Sequence, residues 1–264
     1  MYKYIDENKE HLHTLDGKPL TGTSSVMSVL NKPLTWWASG LAVEKLGWIN
    51  SKKKIGSKYI TTPIEARISH VEPFLQEICS MTPSDYLKRL DEAYKAHSIK
   101  LDSSAKDGTD LHAEIEDYVK ECIREGKVLN KKHDKIQPFI DFALEKVKRF
   151  IWSEANCFSR EHWLGGITDI GIEDNEGKYA IIDIKSSKEA YKSQFYQCAG
   201  YDIQIMENGL FDKDGNLIMK LDKPIEYYII FPFGMEKPEP QYFFDVVGAK
   251  KCYLSALTLY RYEN

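Results

Sequence analysis

Two short apolar segments decide the fold of this chain: Gly165-Gly166-Ile167-Thr168-Asp169-Ile170-Gly171-Ile172 and Tyr179-Ala180-Ile181-Ile182-Asp183-Ile184-Lys185-Ser186-Ser187. Each segment has the pattern of a β-strand and carries one aspartate within an apolar run. The turn-forming sequence Asp174-Asn175-Glu176-Gly177 lies between them, which is typical of a β-hairpin. We therefore predict a hairpin with one acidic residue on each strand.

The second strand combines two charged residues with an apolar opposite face. Alternation places Asp183 and Lys185 on the face of Ile181, whereas the other face carries Ala180, Ile182 and Ile184. A charge in such surroundings costs several kcal/mol unless a partner or a metal compensates for it. Two carboxylates and an ammonium at the edge of a β-core are the groups that a metal-dependent phosphodiesterase needs. The ordinary alternative is an exposed strand face with a surface ion pair worth about 0–1 kcal/mol.

Two polar patterns on predicted helices favour the functional interpretation of the hairpin. His112 and Glu116 are four residues apart on a predicted helix over residues 106–125, so they share a face. Gln194, Gln197 and Tyr201 follow the hairpin at intervals of three and four on a second helix. Each pattern alone is also typical of a solvent-facing helix. Their order along the chain, on either side of the hairpin, favours a shared site.

Periodicity, prolines and turn residues predict the other elements. The predicted helices cover residues 24–30, 35–47, 63–80, 83–97, 106–125, 137–152, 194–208 and 248–260. The predicted strands cover residues 156–163, 167–173, 179–186, 226–231 and 241–246, with a small hairpin around Asp16-Gly17 and a turn over residues 212–216.

The motifs, taken in order, resemble the PD-(D/E)XK nuclease superfamily, most closely its RecB-like, phage-type exonuclease branch and the mitochondrial genome maintenance exonucleases. The similar pieces are Thr23-Ser24-Ser25-Val26-Met27-Ser28-Val29-Leu30, Trp36-Trp37-Ala38, Gly108-Thr109-Asp110-Leu111-His112 with Glu116, Glu154, Gly166-Ile167-Thr168-Asp169, Asp183-Ile184-Lys185 and Gln197-Cys198-Ala199-Gly200-Tyr201. The resemblance spans most of the chain. It implies an α/β fold with an αβββαβ core, in which helices flank a mixed central sheet, and a helical N-terminal extension.

The resemblance also implies a metal centre. Its expected ligands are His112, Asp169, Asp183 and the backbone carbonyl of Ile184, with Glu116 orienting His112 or a metal-bound water. Oxygen-rich ligands suit Mg²⁺, and the imidazole makes Mn²⁺ a good substitute. A divalent ion would also relieve the repulsion between the two aspartates.

The remaining site residues are assigned roles in catalysis by the same resemblance. Lys185 is expected to contact the attacking water or the scissile phosphate as charge develops. Gln197 is expected to position Lys185 or the water, and Tyr201 to contact phosphate. Glu154 is a further candidate at a predicted helix–strand junction near the site.

Several other residues have both an ordinary and a functional interpretation. Lys188 is either a loop lysine or a contact to the DNA backbone. Ser51-Lys52-Lys53-Lys54 is predicted to be a solvated polar loop, with a phosphate contact as the alternative. The pair Trp36-Trp37 is predicted to be core, with base stacking as the alternative.

Composition limits the class of protein. The chain has 264 residues, which is enough for a large core. Its net charge of −4 is unexpected for a protein that coats nucleic acid. Its five cysteines are dispersed without a C-x-x-C pair, which predicts a reducing compartment and no iron–sulfur cluster. No apolar run of about 20 residues is present, so we expect no membrane span and a cytoplasmic location. The expected organisation is a helical region, 1–105, packed on a nuclease core, 106–264.

The sequence thus predicts a metal-dependent DNA nuclease that leaves 5′-phosphates. We expect an exonuclease of phage or mobile-element recombination or replication, acting on DNA with free ends and single-stranded regions. Two alternatives stay open at this point. One is a structure-specific or restriction-type endonuclease, and the other is a non-catalytic nucleic-acid-binding module with the same fold.

Overall fold

The protein forms two compact units in a computed structural model. The model describes residues 1–7, 10–30, 35–55 and 58–264; the side chains of 6, 7, 10, 11, 36, 53–55 and 101–109 lie outside this description. The first unit consists of Met1–Asn31 and Asp107–Asn264, and the second of Lys32–Lys106. In the described part of the chain, no helix has the length and apolar character that crossing a bilayer requires.

In chain order the elements are β1 Tyr2–Glu7, β2 Glu10–Leu15, β3 Lys18–Pro19, β4 Thr21–Gly22, α1 Thr23–Val26, a 3-10 helix Met27–Leu30, α2 Thr35–Glu44, β5 Lys52–Ile55, β6 Lys58–Thr61, α3 Ile64–Ser80, α4 Pro83–Glu125, α5 Gln137–Lys146, β7 Val147–Ser159, β8 Leu164–Asp174, β9 Tyr179–Lys185, α6 Lys192–Asn208, β10 Leu210–Phe211, β11 Leu217–Met219, β12 Ile225–Pro232, β13 Gln241–Phe243 and α7 Val246–Glu263.

A mixed sheet forms the centre of the first unit. Its strand order is β11-β10-β7-β8-β9-β12-β13, and β4 pairs with the start of β8. Strands β7, β8 and β9 are antiparallel neighbours, whereas β12 runs parallel to β9. The parallel pair requires a crossover connection, and α6 lies within it. Strands β1, β2 and β3 form a separate small sheet, which contains the predicted turn at Asp16-Gly17.

The predicted β8–β9 hairpin is confirmed. Asp174 donates its backbone N–H to the carbonyl of Lys178 at 2.9 Å, and Gly177 has a φ of 82°. A positive φ is a conformation that glycine adopts without steric cost, which explains this residue in the turn. The turn thereby sets the register of the two strands.

Helices cover both faces of the sheet, as expected for an α/β protein of this class. Ile181 belongs to a core that includes residues of α6 and α7. Ile182 and Ile184 point the other way, into a core with α5 and the last turns of α4. The predicted alternation along β9 is therefore confirmed, and the prediction of a mixed central sheet flanked by helices is confirmed with it. Because both faces are buried, the central strands are apolar almost throughout.

The helix predicted over 137–152 is wrong in its second half. The helix ends at Lys146, and β7 begins at Val147 and continues to Ser159. Val147 and Phe150 are three residues apart, a spacing that fits a helix as well as a strand. Pairing with β8 decides between the two, since both residues lie in the core beneath the sheet.

Two further boundaries differ from the prediction. The helices expected over 83–97 and 106–125 are one helix of 43 residues, α4. The basic stretch at 51–54 is largely a strand, because β5 pairs with β6 in a two-stranded ribbon. Three consecutive lysines, Lys52 to Lys54, carry no helix or strand period of their own, so only the partner strand reveals this ribbon.

The second unit contains α2, β5, β6, α3 and the first part of α4. Arg89 of α4 connects its parts, because its guanidinium donates to Glu77 of α3 at 2.5 Å and lies 5.5 Å from the centre of the Phe74 ring. The same side chain donates to the carbonyl of Lys45 at 3.3 Å.

Candidate active site

Three carboxylates form a row across the central sheet. Glu154 of β7, Asp169 of β8 and Asp183 of β9 occupy neighbouring strands at facing positions. The flanking pairs that set this register are Ser153–Ile170 and Ala155–Thr168 between β7 and β8, and Ile170–Ile182 between β8 and β9. The hairpin predicted from the sequence therefore brings its two aspartates together, and β7 adds a third acidic residue.

Asp169 is held in place by the neighbouring strand. Its Oδ2 accepts a hydrogen bond from the backbone N–H of Ile184 at 2.9 Å. The same oxygen lies 3.8 Å from Nδ1 of His112. Burial raises the pKa of the Asp169 carboxyl, and the positive charge of Lys185 and the Ile184 N–H only partly oppose this effect.

Asp183 is almost completely buried, with 1% of its surface exposed. Its Oδ2 forms an ion pair with Nζ of Lys185 at 2.6 Å. Burial, together with repulsion from Asp169, raises the pKa of Asp183 to about 6, although Lys185 favours the ionised form. Burial disfavours the charged ammonium, but the two aspartates outweigh it and raise the pKa of Lys185, which remains cationic.

His112 enters the site from α4, on a different element from the row. About a third of its side chain is exposed, at 32%. Burial and the nearby Lys185 lower the pKa of the imidazole, against the opposing effect of Asp183. A neutral imidazole at neutral pH keeps the lone pair that a metal ligand requires.

Glu154 has a backbone conformation that is rare within a strand. Its φ is 42°, a value that costs energy for a residue with a side chain. Burial and the neighbouring charge of Glu116 raise the pKa of its carboxyl. The predicted position of Glu154 at a helix–strand junction is wrong, because the residue lies within β7. Because Glu154 lies opposite Asp169, it is part of the carboxylate row and not a residue at the edge of the site.

Glu116 lies on the same face of α4 as His112, as predicted. Its hydrogen-bonded ion pair is with Lys120. No hydrogen bond between Glu116 and His112 occurs among the described contacts, so its influence on the imidazole is through charge. A small cavity of about 10 Å³ separates the groups, lined by His112, Ile115, Glu116, Ser153, Glu154, Asp169, Ile170 and Ile184. Such a volume is close to that of one water molecule.

The donor atoms of the site suit a hard divalent cation, but only a few of them lie close together. Among the described residues, no three His, Cys, Asp or Glu side chains are close enough together to hold a metal ion. Asp183 nevertheless supplies a buried carboxylate and Asp169 a half-buried one, and removal from water raises the pKa of both. Mg²⁺ usually takes one or two carboxylates and fills its other positions with water and phosphate oxygens. The residues present therefore fit this ion.

Helix α6 brings its polar residues toward Lys185. Gln197 donates from Nε2 to the hydroxyl of Tyr201 at 2.7 Å. Tyr201 is buried, with 5% of its surface exposed. Gln194 has a role that the sequence analysis did not identify: its Oε1 accepts the backbone N–H of Tyr191 at 2.8 Å and so caps the start of α6.

A second cavity of about 320 Å³ adjoins Lys185. Its lining is Ser24, Met27, Ser28, Lys185, Tyr191, Ser193, Gln194 and Gln197. The sequence analysis did not assign the hydroxyls of Ser24 and Ser28 to the site. The only available signal was the stretch from Thr23 to Leu30, which carries part of the resemblance but no charged group.

The other candidate residues do not belong to the carboxylate row. Lys188 is exposed beyond β9. Trp37 and Lys52 belong to the second unit, where both are exposed, so the prediction that Trp37 is core is wrong. The side chains of Trp36, Lys53 and Lys54, and those of Gly108 and Thr109, lie outside the described residues.

Comparisons with protein families and curated proteins assign no family to the chain. The chain matches no protein-family model, and no curated protein is similar enough to count as a match.

Proposed function

We propose that this protein is a Mg²⁺-dependent DNA nuclease, with Mn²⁺ as a substitute, and that its core is of the PD-(D/E)XK type. The observation that carries the proposal is the ion pair between the buried Asp183 and the partly exposed Lys185, 2.6 Å apart, beside Asp169. A purely structural surface pair would be exposed and weak. The order α5, β7, β8, β9, α6 and β12, with the short strands β10 and β11 inserted before β12, supports the same core.

The divalent ion would be held by Asp169, Asp183 and the carbonyl of Ile184, with His112 as the nitrogen ligand. When bound, such an ion lowers the pKa of a coordinated water and offsets charge on a phosphate. The neutral imidazole of His112, the buried carboxylate of Asp183 and the half-buried carboxylate of Asp169 are suited to these ligand roles.

Lys185 would stabilise the charge that develops on the phosphate during hydrolysis. Its ammonium is already oriented by Asp183, so little reorganisation is needed when the substrate binds. Gln197 lines the same cavity as Lys185 and is itself oriented by Tyr201. Tyr201 would therefore act through Gln197 more than by direct contact, since its hydroxyl is buried.

We further propose an exonuclease that acts from DNA ends, leaves 5′-phosphates and prefers single-stranded regions. The resemblance to RecB-like and phage-type exonucleases carries this part, including the assignment to phage or mobile-element recombination or replication in the cytoplasm of a bacterial or phage-infected cell. The cavity beside Lys185, at about 320 Å³, offers room for part of a nucleotide.

The test is digestion of end-labelled linear duplex, linear single strands and covalently closed circles in Mg²⁺, with EDTA as the control. We expect progressive shortening of linear DNA, intact circles and no cleavage in EDTA. Rapid cutting of closed circles would favour the endonuclease alternative. Cleavage that persists in EDTA would contradict the metal assignment, and DNA binding without cleavage of any substrate would favour the non-catalytic alternative.

A further inference from the structure

An open cavity lies at the turn end of the β8–β9 hairpin, away from the carboxylate row. Its volume is about 610 Å³, within the usual range of ligand pockets. The lining comes from α5, the hairpin turn, the start of β12 and the segment around β13: Phe142, Glu145, Lys146, Asp174, Asn175, Glu176, Lys178, Glu226, Tyr227, Tyr242 and Phe244. Lys178 precedes Asp183 by five residues, which corresponds to roughly 17 Å along a strand.

One wall of this cavity is aromatic and exposed. The rings of Tyr242 and Phe244 are nearly parallel, with 4° between their planes, and Tyr227 lies 5.4 Å from Phe244 between centroids. Phe244 is 70% exposed, and Val247 at the start of α7 is 65% exposed. Phe244 lines the cavity, and a large apolar side chain with this exposure at a cavity is typical of a binding surface.

The rest of the lining has an excess of negative charge. It contains four carboxylates and two lysines. Lys146 is paired with Glu145 at 2.8 Å, and Lys178 with Glu176 at 2.5 Å, so both lysines are already neutralised. Within the part of the chain that the structure describes, Glu226 forms no ion pair.

Asp174 also forms no ion pair among the described residues, although Lys178 is near enough to Asp174 and Glu226 for both to raise its pKa. Oδ1 of Asp174 accepts from the backbone N–H groups of Glu176 and Lys178 at 2.9 Å. Asp174 is also fixed by the hydroxyl of Tyr227, which donates to its Oδ2 at 2.7 Å. With four carboxylates against two lysines, the lining keeps an excess of two negative charges beside three aromatic rings, which attracts a cation and repels phosphate.

We propose that this cavity docks an arginine-bearing, otherwise apolar segment of a protein partner. A guanidinium can stack on the aromatic wall while it pairs with a carboxylate, which an ammonium does less well. The apolar residues beside the arginine would cover Phe244 and Val247, which a small cation alone would leave exposed. The excess of negative charge excludes DNA from this surface, so the proposal concerns a site separate from the proposed nuclease centre.

The experiment is a titration of the full chain, without DNA or metal, with a capped Gly-Leu-Arg-Leu-Gly peptide, followed by two-dimensional NMR. A peptide with citrulline in place of arginine is the neutral control. We expect saturable shifts at the cavity, and about fivefold weaker binding for the citrulline peptide, for Phe244→Ala and for Glu226→Gln. The matched controls are Tyr262→Ala and Glu263→Gln at the exposed end of α7, which should bind normally.

Several results would overturn the proposal. Equal binding of the citrulline peptide would remove the role of charge, and normal binding by both cavity variants would place the site elsewhere. Methylguanidinium that binds as tightly as the peptide would indicate a small cation as the occupant. Self-association of the chain that Phe244→Ala abolishes would indicate a second copy instead. Because no cleavage is measured, failure of this experiment leaves the nuclease proposal unaffected.

Discussion

At the scale of single residues, Asp183 has the least ordinary surroundings of any acidic side chain in the proposed centre. It is 1% exposed and faces Asp169 across the hairpin, with Lys185 as its ion-pair partner. An isolated ionised carboxylate in such a place is unfavourable by several kcal/mol. The pair with Lys185 and, in our proposal, a divalent ion provide the compensation.

Asp183→Asn should therefore remove most Mg²⁺-dependent cleavage while the fold is retained. The amide keeps the volume of the carboxyl but loses the charge that attracts a cation. Calorimetric titration with Mn²⁺ measures the effect, and circular dichroism checks the fold. Asp214→Asn, at an exposed turn, is the matched control. Unchanged affinity and stoichiometry in Asp183→Asn would refute the ligand assignment.

Lys185→Met should lower kcat by about 10²-fold or more, the scale on which one charge-stabilising group acts in a transition state. DNA binding in Ca²⁺ should change far less, since the ammonium contributes mainly as charge develops. Lys251→Met removes an exposed lysine of α7 and serves as the control. Cleavage at a normal rate by Lys185→Met would transfer the role to another basic residue.

At the scale of elements, β7 and β8 are held together by charge as well as by the ladder. Glu173 of β8 accepts from Nζ of Lys148 at 2.8 Å and from Nε of Arg149 at 2.6 Å. These two hydrogen bonds lower the pKa of Glu173 to about 2, from an ordinary value of 4.5. A lowered folded-state pKa means that the ionised side chain stabilises the fold at every pH above the unfolded value.

The contribution of Glu173 should thus be present in full above about pH 5 and disappear as the pH falls toward 2. We expect Glu173→Gln to lower the melting temperature at pH 7, and the difference from the unsubstituted protein to shrink through this window. Thermal unfolding followed by circular dichroism at a series of pH values gives the measurement. Glu239→Gln, at an exposed position, should show no such dependence. A difference that is constant with pH would contradict the assignment.

The close contact of β7 and β8 gives a second prediction at this scale. A Cβ at Gly171 would lie 2.1 Å from ring carbons of Trp152, which is buried in the core. Gly171→Ala should lower the free energy of unfolding by about 1–3 kcal/mol, as overpacking does. Gly40→Ala has open space around its Cβ and should not destabilise its helix. Equal denaturation midpoints for Gly171→Ala and the unsubstituted protein would show that the core adjusts.

At the scale of the whole molecule, the net charge of −4 opposes binding to a polyanion. A nuclease of this charge must hold phosphates through a few local groups and a metal ion. DNA affinity should accordingly fall at least about tenfold when Ca²⁺ is replaced by EDTA, since without the cation the carboxylates of the site repel the phosphates. Fluorescence anisotropy with a labelled single strand at fixed ionic strength measures this difference. Asp183→Asn should show little difference between the two conditions, and strong binding in EDTA would contradict the dependence on metal.

The sequence by itself determined the features that depend on local rules. Alternation along β9 and the residues of its turn predict the hairpin, the buried face of Asp183 and the position of Lys185, because side-chain direction in a strand has a period of two. Helical spacing likewise predicts that His112 and Glu116 share a face, and that Gln197 and Tyr201 meet. These contacts lie within one element or across one tight turn.

Only the tertiary structure decided the features that depend on distant partners. Val147 and Phe150 fit a helix or a strand, and pairing with β8 makes them part of β7. That pairing brings Glu154 opposite Asp169, which no local pattern indicates. The aromatic cavity joins α5, the hairpin turn and the segment around β13, which are far apart in the chain. Its chemistry arises from packing, because packing alone brings Phe244 and Glu226 to the same opening.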